Sequence, residues 1–258
     1  DNMLIILSPA KIQNFKPQSV TDKYTQPVFL NEAEQLIKLL RSYPVNELRD
    51  LLNVSHEIAK NAADFYFNWK TKHDLKNAKQ AVLTYNGEVY HGLDASSLSE
   101  TDLEYTQKHL RIISGLYGML RPLDLIRPYR LELQASVENA SGKNLYAFWD
   151  EKITLAVKRA IKESGKPEIL LNLASKEYSK SVHSKKLAMP VIDFEFLENR
   201  REGYKTITIY TKKARGLMTR YIIQNRIEDP ENIKGFDSEG YWYNELLSTE
   251  NKMVFTRG

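Results

Sequence analysis

Short apolar runs recur along the chain and predict β-strands, because a strand that is buried on both faces is a brief and continuous apolar segment. The predicted strands cover residues 3–7, 168–173, 191–197, 206–211 and 253–255. Residues 206–211 alternate between polar and apolar side chains, which is typical of a half-buried strand. Residues 80–85 and 88–90 flank Asn86-Gly87, a tight-turn dipeptide, and are interpreted as two further strands.

Elsewhere, apolar residues recur at the spacing of an amphipathic helix. The predicted helices cover residues 30–41, 47–52, 55–69, 99–114, 146–163 and 214–227. Ser55 and Ser99 are placed to cap helices, and Pro44 and Pro230 are placed to end them. Helices and strands intermix without a regular βαβ order. The pattern therefore indicates an α/β (mixed α+β) fold, with a mixed sheet flanked by helices.

The chain has 258 residues, and neither a repeat nor a flexible linker divides it. We therefore expect one compact domain over residues 3–258, with Asp1 and Asn2 as a remnant of expression. Hydrophobic residues make up 42% of the chain and charged residues 27%, which is ordinary for a globular protein. Because no apolar run approaches the ~20 residues that cross a bilayer, no membrane partner is expected.

Cysteine is absent from the sequence, which excludes disulfides, thiolate nucleophiles and Cys-ligated metal centres, and which fits a cytoplasmic location. The five histidines show no paired metal-ligand spacing, so we expect neither a metal nor a cofactor. A phosphate-binding loop, a dinucleotide fingerprint and a nucleophile elbow are also missing. The sequence therefore favours a protein that is not an enzyme, although this question stays open.

The net charge is only +4, but the basic residues are unevenly distributed. Residues 205–226 carry six basic side chains and no acidic one, and residues 109–132 and 176–186 are also enriched in Arg or Lys. Clustered cations bind polyphosphates by releasing counterions, so these segments indicate an anion-binding surface. The alternative is a set of solvated helix faces that are basic by chance.

The segment around residues 212–226 supplies the first candidates for phosphate contact. A helical wheel places Ala214 and Met218 on an apolar side and the cations on a wholly basic side. The candidate residues are Lys212, Lys213, Arg215 and Arg220. Because this helix follows a predicted strand, the positive end of its dipole adds to the attraction for anions.

Two glycines and four arginines characterise residues 109–132. Gly115 and Gly118 permit a positive φ or a close approach by another backbone. The arginines, whose planar forks suit phosphate, are Arg111, Arg121, Arg127 and Arg130. They either line an anion-binding cleft or form internal ion pairs with Asp124 and Glu132, and the sequence leaves both readings open.

Small polar residues follow two of the predicted strands, which is a common place for a ligand site. Lys11 ends the segment Ser-Pro-Ala-Lys after the first strand, and Asn172 and Ser175 follow the strand at 168–173. If the two strands are neighbours, these side chains share one crevice. For Ser175 the alternative is a plain helix cap.

Six of these segments form a recognisable series. They read SPAK at 8–11, GLYGMLRPLD at 115–124, PYRLE at 128–132, NLASKEY at 172–178, KKARGLM at 212–218 and GFDSEGY at 235–241. Together and in this order they resemble the bacterial peroxide stress protein YaaA family. The resemblance runs from Met3 to near the end of the chain.

The resemblance implies a cytoplasmic protein of the hydrogen peroxide response that binds double-stranded or branched DNA, protects it and limits free intracellular iron. It also implies a single α/β domain with a basic cleft, a helix-hairpin-helix element and no established reaction. We place that hairpin at Asn53, Val54 and Ser55, where Asn and Ser stand in the two glycine positions. The rival position is 115–118.

Two functions of different classes remain open. The leading hypothesis is a DNA-binding protein that contacts the phosphate backbone through the basic cleft with little sequence specificity. The alternative is an enzyme acting on a nucleotide or another phosphate-bearing metabolite, with Asn172, Ser175 and Tyr178 orienting the ligand and Glu132 or Glu239 as the base. An open cleft as wide as a duplex favours the first function, and a narrow Arg-lined pocket favours the second.

Overall fold

Eleven α-helices, three short 3₁₀-helices and ten strands form in the part of the chain that the computed structural model describes, residues 3–18 and 20–258. The expected expression remnant, Asp1 and Asn2, lies outside these ranges. The strands are β1 (Leu4–Leu7), β2 (Lys79–Gln80), β3 (Leu110–Ser114), β4 (Gly118–Leu120), β5 (Leu125–Ile126), β6 (Leu170–Asn172), β7 (Val191–Arg200), β8 (Gly203–Lys205), β9 (Trp242–Tyr243) and β10 (Lys252–Arg257).

The helices surround the sheet formed by most of these strands. They are α1 (Leu30–Arg41), α2 (Val45–Leu52), α3 (His56–Asn68), α4 (Ala81–Thr84), α5 (Glu88–Leu93), α6 (Glu100–His109), α7 (Leu145–Trp149), α8 (Lys152–Ser164), α9 (Lys176–Ser179), α10 (Ser184–Leu187) and α11 (Thr208–Gln224). No helix of the described ranges is long and apolar enough to cross a membrane.

The main sheet has a parallel centre and antiparallel edges. Its spatial order is β4-β3-β1-β6-β7-β10-β9, with β8 paired to the far end of β7. Strands β3, β1, β6, β7 and β10 run parallel, whereas β4, β8 and β9 are antiparallel to their neighbours. Every residue of β1 is buried, as expected for a central parallel strand covered on both faces. The predicted α/β class, with one mixed sheet in a single compact domain, is confirmed.

The strands at 3–7 and 168–173 are neighbours in this sheet. β1 pairs with β6 in parallel, with Ile5 opposite Leu171. Because parallel strands end at the same edge, the segments after Leu7 and Asn172 meet there. The two strands are thus neighbours, and the polar residues that follow them lie in one crevice, as expected for adjacent parallel strands.

The predicted hairpin around Asn86-Gly87 is wrong. The dipeptide joins two short helices, α4 and α5, and Gly87 stands at the extended N-cap of α5. The side chains of Val89, Tyr90 and Leu93 are buried, and this spacing fits a helix as well as a strand. A six-residue helix is marginal by itself, so the contact with α11 determines its conformation.

Two predicted helices are interrupted. The helix expected over 99–114 ends at His109, and the apolar residues that follow become β3, which is buried between β1 and β4. The helix expected over 146–163 is two helices, α7 and α8, with Asp150 at φ 46° and ψ −116° between them. In the first case, burial in the sheet overrides helical spacing.

The predicted strand at 206–211 is also wrong, because α11 starts at Thr208. Ile209 and Tyr210 are exposed, so the alternation of apolar residues does not correspond to a buried face. The wholly cationic face expected for this helix is absent too, since Thr219 and Ile223 are buried along it. α11 packs against α5, α6 and β7 on different sides. A helical wheel with one apolar and one basic side therefore does not predict which of its residues are buried.

The crossing of α5 and α11 depends on two glycines. A Cβ added at Gly216 would lie 1.8 Å from the carbonyl oxygen of Val89, and one added at Gly92 would lie 2.2 Å from that of Lys213. Both obstacles are backbone atoms, which cannot rotate away as a side chain can. The helices therefore approach so closely that neither crossing position tolerates a side chain.

A buried hydrogen-bond cluster fixes the charge state of one histidine. The Tyr117 hydroxyl accepts from Trp69 Nε1 at 3.0 Å and from the Arg127 amide at 3.0 Å, and it faces His73 Nε2 at 2.8 Å. His73 Nδ1 faces the Thr71 carbonyl oxygen at 2.9 Å. Nδ1–H therefore donates and Nε2 accepts, which requires a neutral imidazole. Burial lowers the pKa of His73 to about 4, and likewise that of His109.

We predict that Gly216→Ala destabilises the protein by about 3 kcal/mol or more, because the added methyl group forces the two helix backbones apart. Gln224→Ala, an exposed change on the same helix, is the control and should leave stability nearly unchanged. Urea unfolding measures both. An alanine variant at 216 with wild-type stability would contradict the close crossing.

We also predict that acid weakens the fold. The folded pKa of the two buried histidines lies below the unfolded value, so the unfolded chain binds more protons between about pH 6.5 and 4 and stability falls through this window. The loss at about pH 5 is roughly 2 kcal/mol per histidine. Urea midpoints at about pH 7.5 and 5 test this, with exposed His56→Ala as a control that keeps the dependence.

Candidate functional site

A pocket of about 270 Å³ opens at the carboxyl ends of β1 and β6. Its walls come from segments that are distant in the sequence: 8–13, 86–90, 129–132 and 175–178, together with Lys212 and Arg215. We call it the strand-end pocket. It collects five of the residues predicted to contact phosphate, which are Lys11, Arg130, Ser175, Lys212 and Arg215.

Two serines connect the strand ends at this pocket. Ser8 Oγ donates to Ser175 Oγ at 3.1 Å, and the Ser175 amide donates to Ser8 Oγ at 2.8 Å. The Tyr90 hydroxyl donates to the Ser8 carbonyl oxygen at 2.7 Å. Ser175 occupies the N-cap position of α9, yet its side chain makes no capping hydrogen bond. Its hydroxyl therefore faces the other strand end rather than the helix.

The first wall of the pocket carries two cations of α11. Arg215 is half-buried, and Lys212 is exposed. Within the described residues, neither side chain has a hydrogen-bond or ion-pair partner, although most other guanidinium groups here have one. Burial lowers the pKa of Arg215, and no carboxylate of the described residues counters that effect. An unpaired, partly buried guanidinium is a ready site for an anion.

The second wall contains both signs of charge. Arg130 Nη2 lies 3.4 Å from a Glu132 oxygen, and Lys11 Nζ lies 3.7 Å from the other oxygen of the same carboxylate. Arg130 Nε is buried and lacks a hydrogen-bond partner among the described residues. Burial and the neighbouring charge of Glu132 raise the pKa of Glu177, while the Gln134 amide and Lys11 oppose the rise.

Four of the arginines predicted to contact phosphate are instead engaged within the protein. Arg111 is buried and donates to the carbonyl oxygens of Gln107 and Leu110. Arg127 donates to those of Asn68 and Lys72, and Arg220 to those of Leu93 and Asp94. Arg121 pairs with Asp124 and donates to the Gln26 carbonyl oxygen. Both readings left open for residues 109–132 apply in part: Arg121 pairs with Asp124 and Arg130 with Glu132, and Arg130 also lines the pocket.

The remaining candidates lie outside the pocket. Lys213 pairs with Glu239 at 2.9 Å, and Asn172 donates to Asp193 on β7 at 2.9 Å. Asn53, Val54 and Ser55 join α2 to α3; Asn53 is left-handed (φ 52°), and Ser55 Oγ accepts from the Ile58 amide. A left-handed residue and a capped helix therefore occupy the turn, and the helix-hairpin-helix assignment stays a prediction. Both signs of charge flank the turn, since Arg49 pairs with Asp50 at 3.3 Å and Glu57 follows on α3.

Sequence reasoning missed the contribution of residues 86–90 to the pocket. Glu88, Val89 and Tyr90 line it because they lie on α5, which was interpreted as part of a hairpin. The apolar spacing of residues 89, 90 and 93 is compatible with a helix as well as with a strand, so no local signal separates the two. Among the described residues, no three His, Asp or Glu side chains stand close enough to hold a metal ion.

We predict that Arg121→Ala costs about 2 kcal/mol of stability without changing the affinity of the strand-end pocket for inorganic phosphate. Asp124 is fully buried, and the variant removes its guanidinium partner, whereas the pocket lies elsewhere. Arg200→Ala, at the exposed end of β7, is the matched control and should be neutral. Loss of phosphate binding by a stably folded Arg121→Ala variant would place this arginine in the site.

Comparison with known proteins shows where this chain belongs. A family model described as "Peroxide stress protein YaaA" matches residues 3–247. A UPF0246 protein of Hahella chejuensis is 46% identical over 255 residues, which cover 99% of each chain. A UPF0246 protein of Burkholderia orbicola is 44% identical over 256 residues, which cover 99% of this chain and 98% of the relative. The chain is therefore a member of the peroxide stress protein YaaA family.

Proposed function

We propose that this protein binds a phosphate-bearing ligand, a nucleotide or a nucleotide unit of DNA, in the strand-end pocket. The observation that carries the proposal is the Arg215 guanidinium, which lines the pocket beside the Lys212 amine; neither group has a partner within residues 3–18 and 20–258. Arg130 adds a buried Nε without a partner in the described part of the chain. A phosphate would supply acceptors for all three cations.

The size of the pocket favours a small ligand. A volume of about 270 Å³ lies near the lower end of the range for small-molecule sites, and it would hold about one nucleotide. A small Arg-lined pocket favours the binding of a nucleotide, whereas the binding of a DNA duplex would favour an open cleft as wide as the duplex. Carboxylates at the same pocket, Glu132 and Glu177, are compatible with acid–base chemistry, but the proposal requires binding alone.

Double-stranded or branched DNA is the second candidate ligand, through the same phosphate chemistry. Lys11 and Lys212 are exposed at the pocket, where a backbone phosphate could reach them. The α2–α3 turn carries both signs of charge, with Arg49 paired to Asp50 at 3.3 Å and Glu57 on α3. Because Arg215 and Lys212 at the pocket lack ion-pair partners among the described residues, we assign any DNA contact to the pocket rather than to this turn.

We propose that binding of this ligand serves the response to peroxide stress, and the family description supports this setting. We propose that the protein acts in the cytoplasm and that protection of DNA follows from occupation of the pocket by DNA or by a nucleotide derived from it. A limiting effect on free intracellular iron would then be indirect, since the proposal involves no metal ligand.

We predict that Arg215→Ala and Lys212→Ala each weaken mononucleotide binding by roughly 10-fold to 100-fold, because each removes a charged hydrogen bond to phosphate. Lys162→Ala, an exposed change on α8 away from the pocket, is the matched control and should bind as the wild type does. Isothermal titration calorimetry and thermal shift with mononucleotides measure the effect.

The same variants tested with duplex and branched DNA separate the two ligands. If DNA is the ligand, affinity falls steeply with salt, and each lost phosphate contact lowers the slope of log affinity against log salt by about 0.9. If a free nucleotide is the ligand, mononucleotides compete with DNA and bind more tightly per site. Binding of neither by the wild-type protein, or unchanged binding by the Arg215 variant, would refute the proposed site.

A further inference from the structure

The carboxylates of the second wall retain unfilled hydrogen-bond acceptors. Glu132 receives only long contacts, from Arg130 at 3.4 Å and from Lys11 at 3.7 Å. Glu177 Oε2 accepts from the Gln134 amide at 3.3 Å, and the Tyr178 hydroxyl also donates to this carboxylate. These distances lie at or beyond the outer edge of hydrogen bonding, and one carboxylate offers about four acceptor positions. Both side chains can therefore accept N–H groups from a ligand.

The two kinds of charge in the strand-end pocket do not neutralise each other. Arg215 and Lys212 on α11 have no ion-pair partner among the residues described. The charges that act on Glu177 are those of Glu132 and Lys11, which belong to its own wall. A ligand that satisfies the whole pocket must bring an anionic group to the α11 wall and N–H donors to the carboxylates.

The rest of the lining suits the apolar faces of a ring. Val89, Tyr90, Tyr129 and Leu131 contribute apolar or aromatic surface to the pocket. The hydroxyl groups of Tyr90 and Tyr129 are already engaged, by the Ser8 carbonyl oxygen and by Tyr85 and Ser114 respectively. These side chains therefore offer contact area rather than further hydrogen bonds.

We infer that the strand-end pocket selects nucleotides whose base carries an exocyclic amino group, with Glu132 and Glu177 accepting its hydrogen bonds and Arg215 and Lys212 holding the phosphate. This inference rests on the proposed function and specifies its ligand class. Replacing the amino group by a carbonyl oxygen removes two exocyclic N–H donors, and the neighbouring ring nitrogen gains one N–H in return. The keto nucleotide can therefore satisfy only one of the two carboxylates and places an oxygen lone pair against the other, which costs a hydrogen bond and adds a repulsion.

The test compares nucleotide pairs that differ at this group: CMP with UMP, and AMP with IMP. We expect the amino member of each pair to bind the wild-type protein about 10-fold or more tightly. In Glu177→Gln and Glu132→Gln the ratio between the pair members should fall towards one, since an amide can donate to the keto oxygen. Lys162→Ala should keep the wild-type ratio. Calorimetric titration gives the affinities, and circular dichroism checks the fold of each variant.

The outcomes separate this inference from the proposed function. Equal binding of both members of each pair by the wild-type protein overturns the inference and leaves phosphate binding intact. An undiminished ratio in both folded Gln variants overturns the assignment to these carboxylates. If only one Gln variant folds, its ratio decides the question. Failure of every nucleotide and of inorganic phosphate to bind refutes the proposed function, and the inference with it.

Discussion

The close crossing of α5 and α11 is the constraint on which the strand-end pocket depends. At Gly92 and Gly216 the two backbones approach to a distance that leaves no room for a Cβ. Lys212 and Arg215 stand within about one helical turn of Gly216, and Glu88, Val89 and Tyr90 stand on the facing helix. The crossing therefore places two cations of α11 beside the strand ends, although about 200 residues separate them from β1 in the sequence.

The second constraint is the parallel pairing of β1 with β6. It brings Ser8 to Ser175 across 167 positions, and their mutual hydrogen bonds fix the base of the pocket. Lys11 lies three residues after Ser8 and Glu177 two residues after Ser175, so the register of two buried strands also sets the distance between a cation and a carboxylate. Since both strands are almost entirely apolar, the core and the pocket geometry are specified by the same residues.

The parts of the fold that sequence reasoning predicted are those whose conformation has a local cause. Apolar runs identified β1, β6 and β7, and Ser55 and Ser99 do cap α3 and α6. The crevice at the ends of β1 and β6 was expected on the condition that the two strands are neighbours, and their parallel pairing meets that condition. The segment 88–93 could not be assigned, because its spacing fits a strand or a helix and only the distant Gly216 decides between them. The strand β3 was missed for a similar reason, since its partners lie far from it in the chain.

The charge pattern predicted an anion site but not which cations form it. Arg220 donates to the carbonyl oxygens of Leu93 and Asp94, more than 120 positions away, and Arg127 to those of Asn68 and Lys72. Every residue has a backbone carbonyl, so a sequence motif cannot show which arginines donate to carbonyl oxygens within the protein and which are available to a ligand.

Only four cations of the described residues line the strand-end pocket, and they lie beside the carboxylates of Glu132 and Glu177 rather than on a uniformly basic surface. A polyanion needs many equivalent cations along its length, whereas one phosphate needs two or three that converge. Arg215, Lys212 and Arg130 converge on one pocket, and Glu132 and Glu177 restrict what else can enter it. The arrangement is therefore better matched to a single nucleotide unit, free or presented by DNA, than to an extended stretch of backbone.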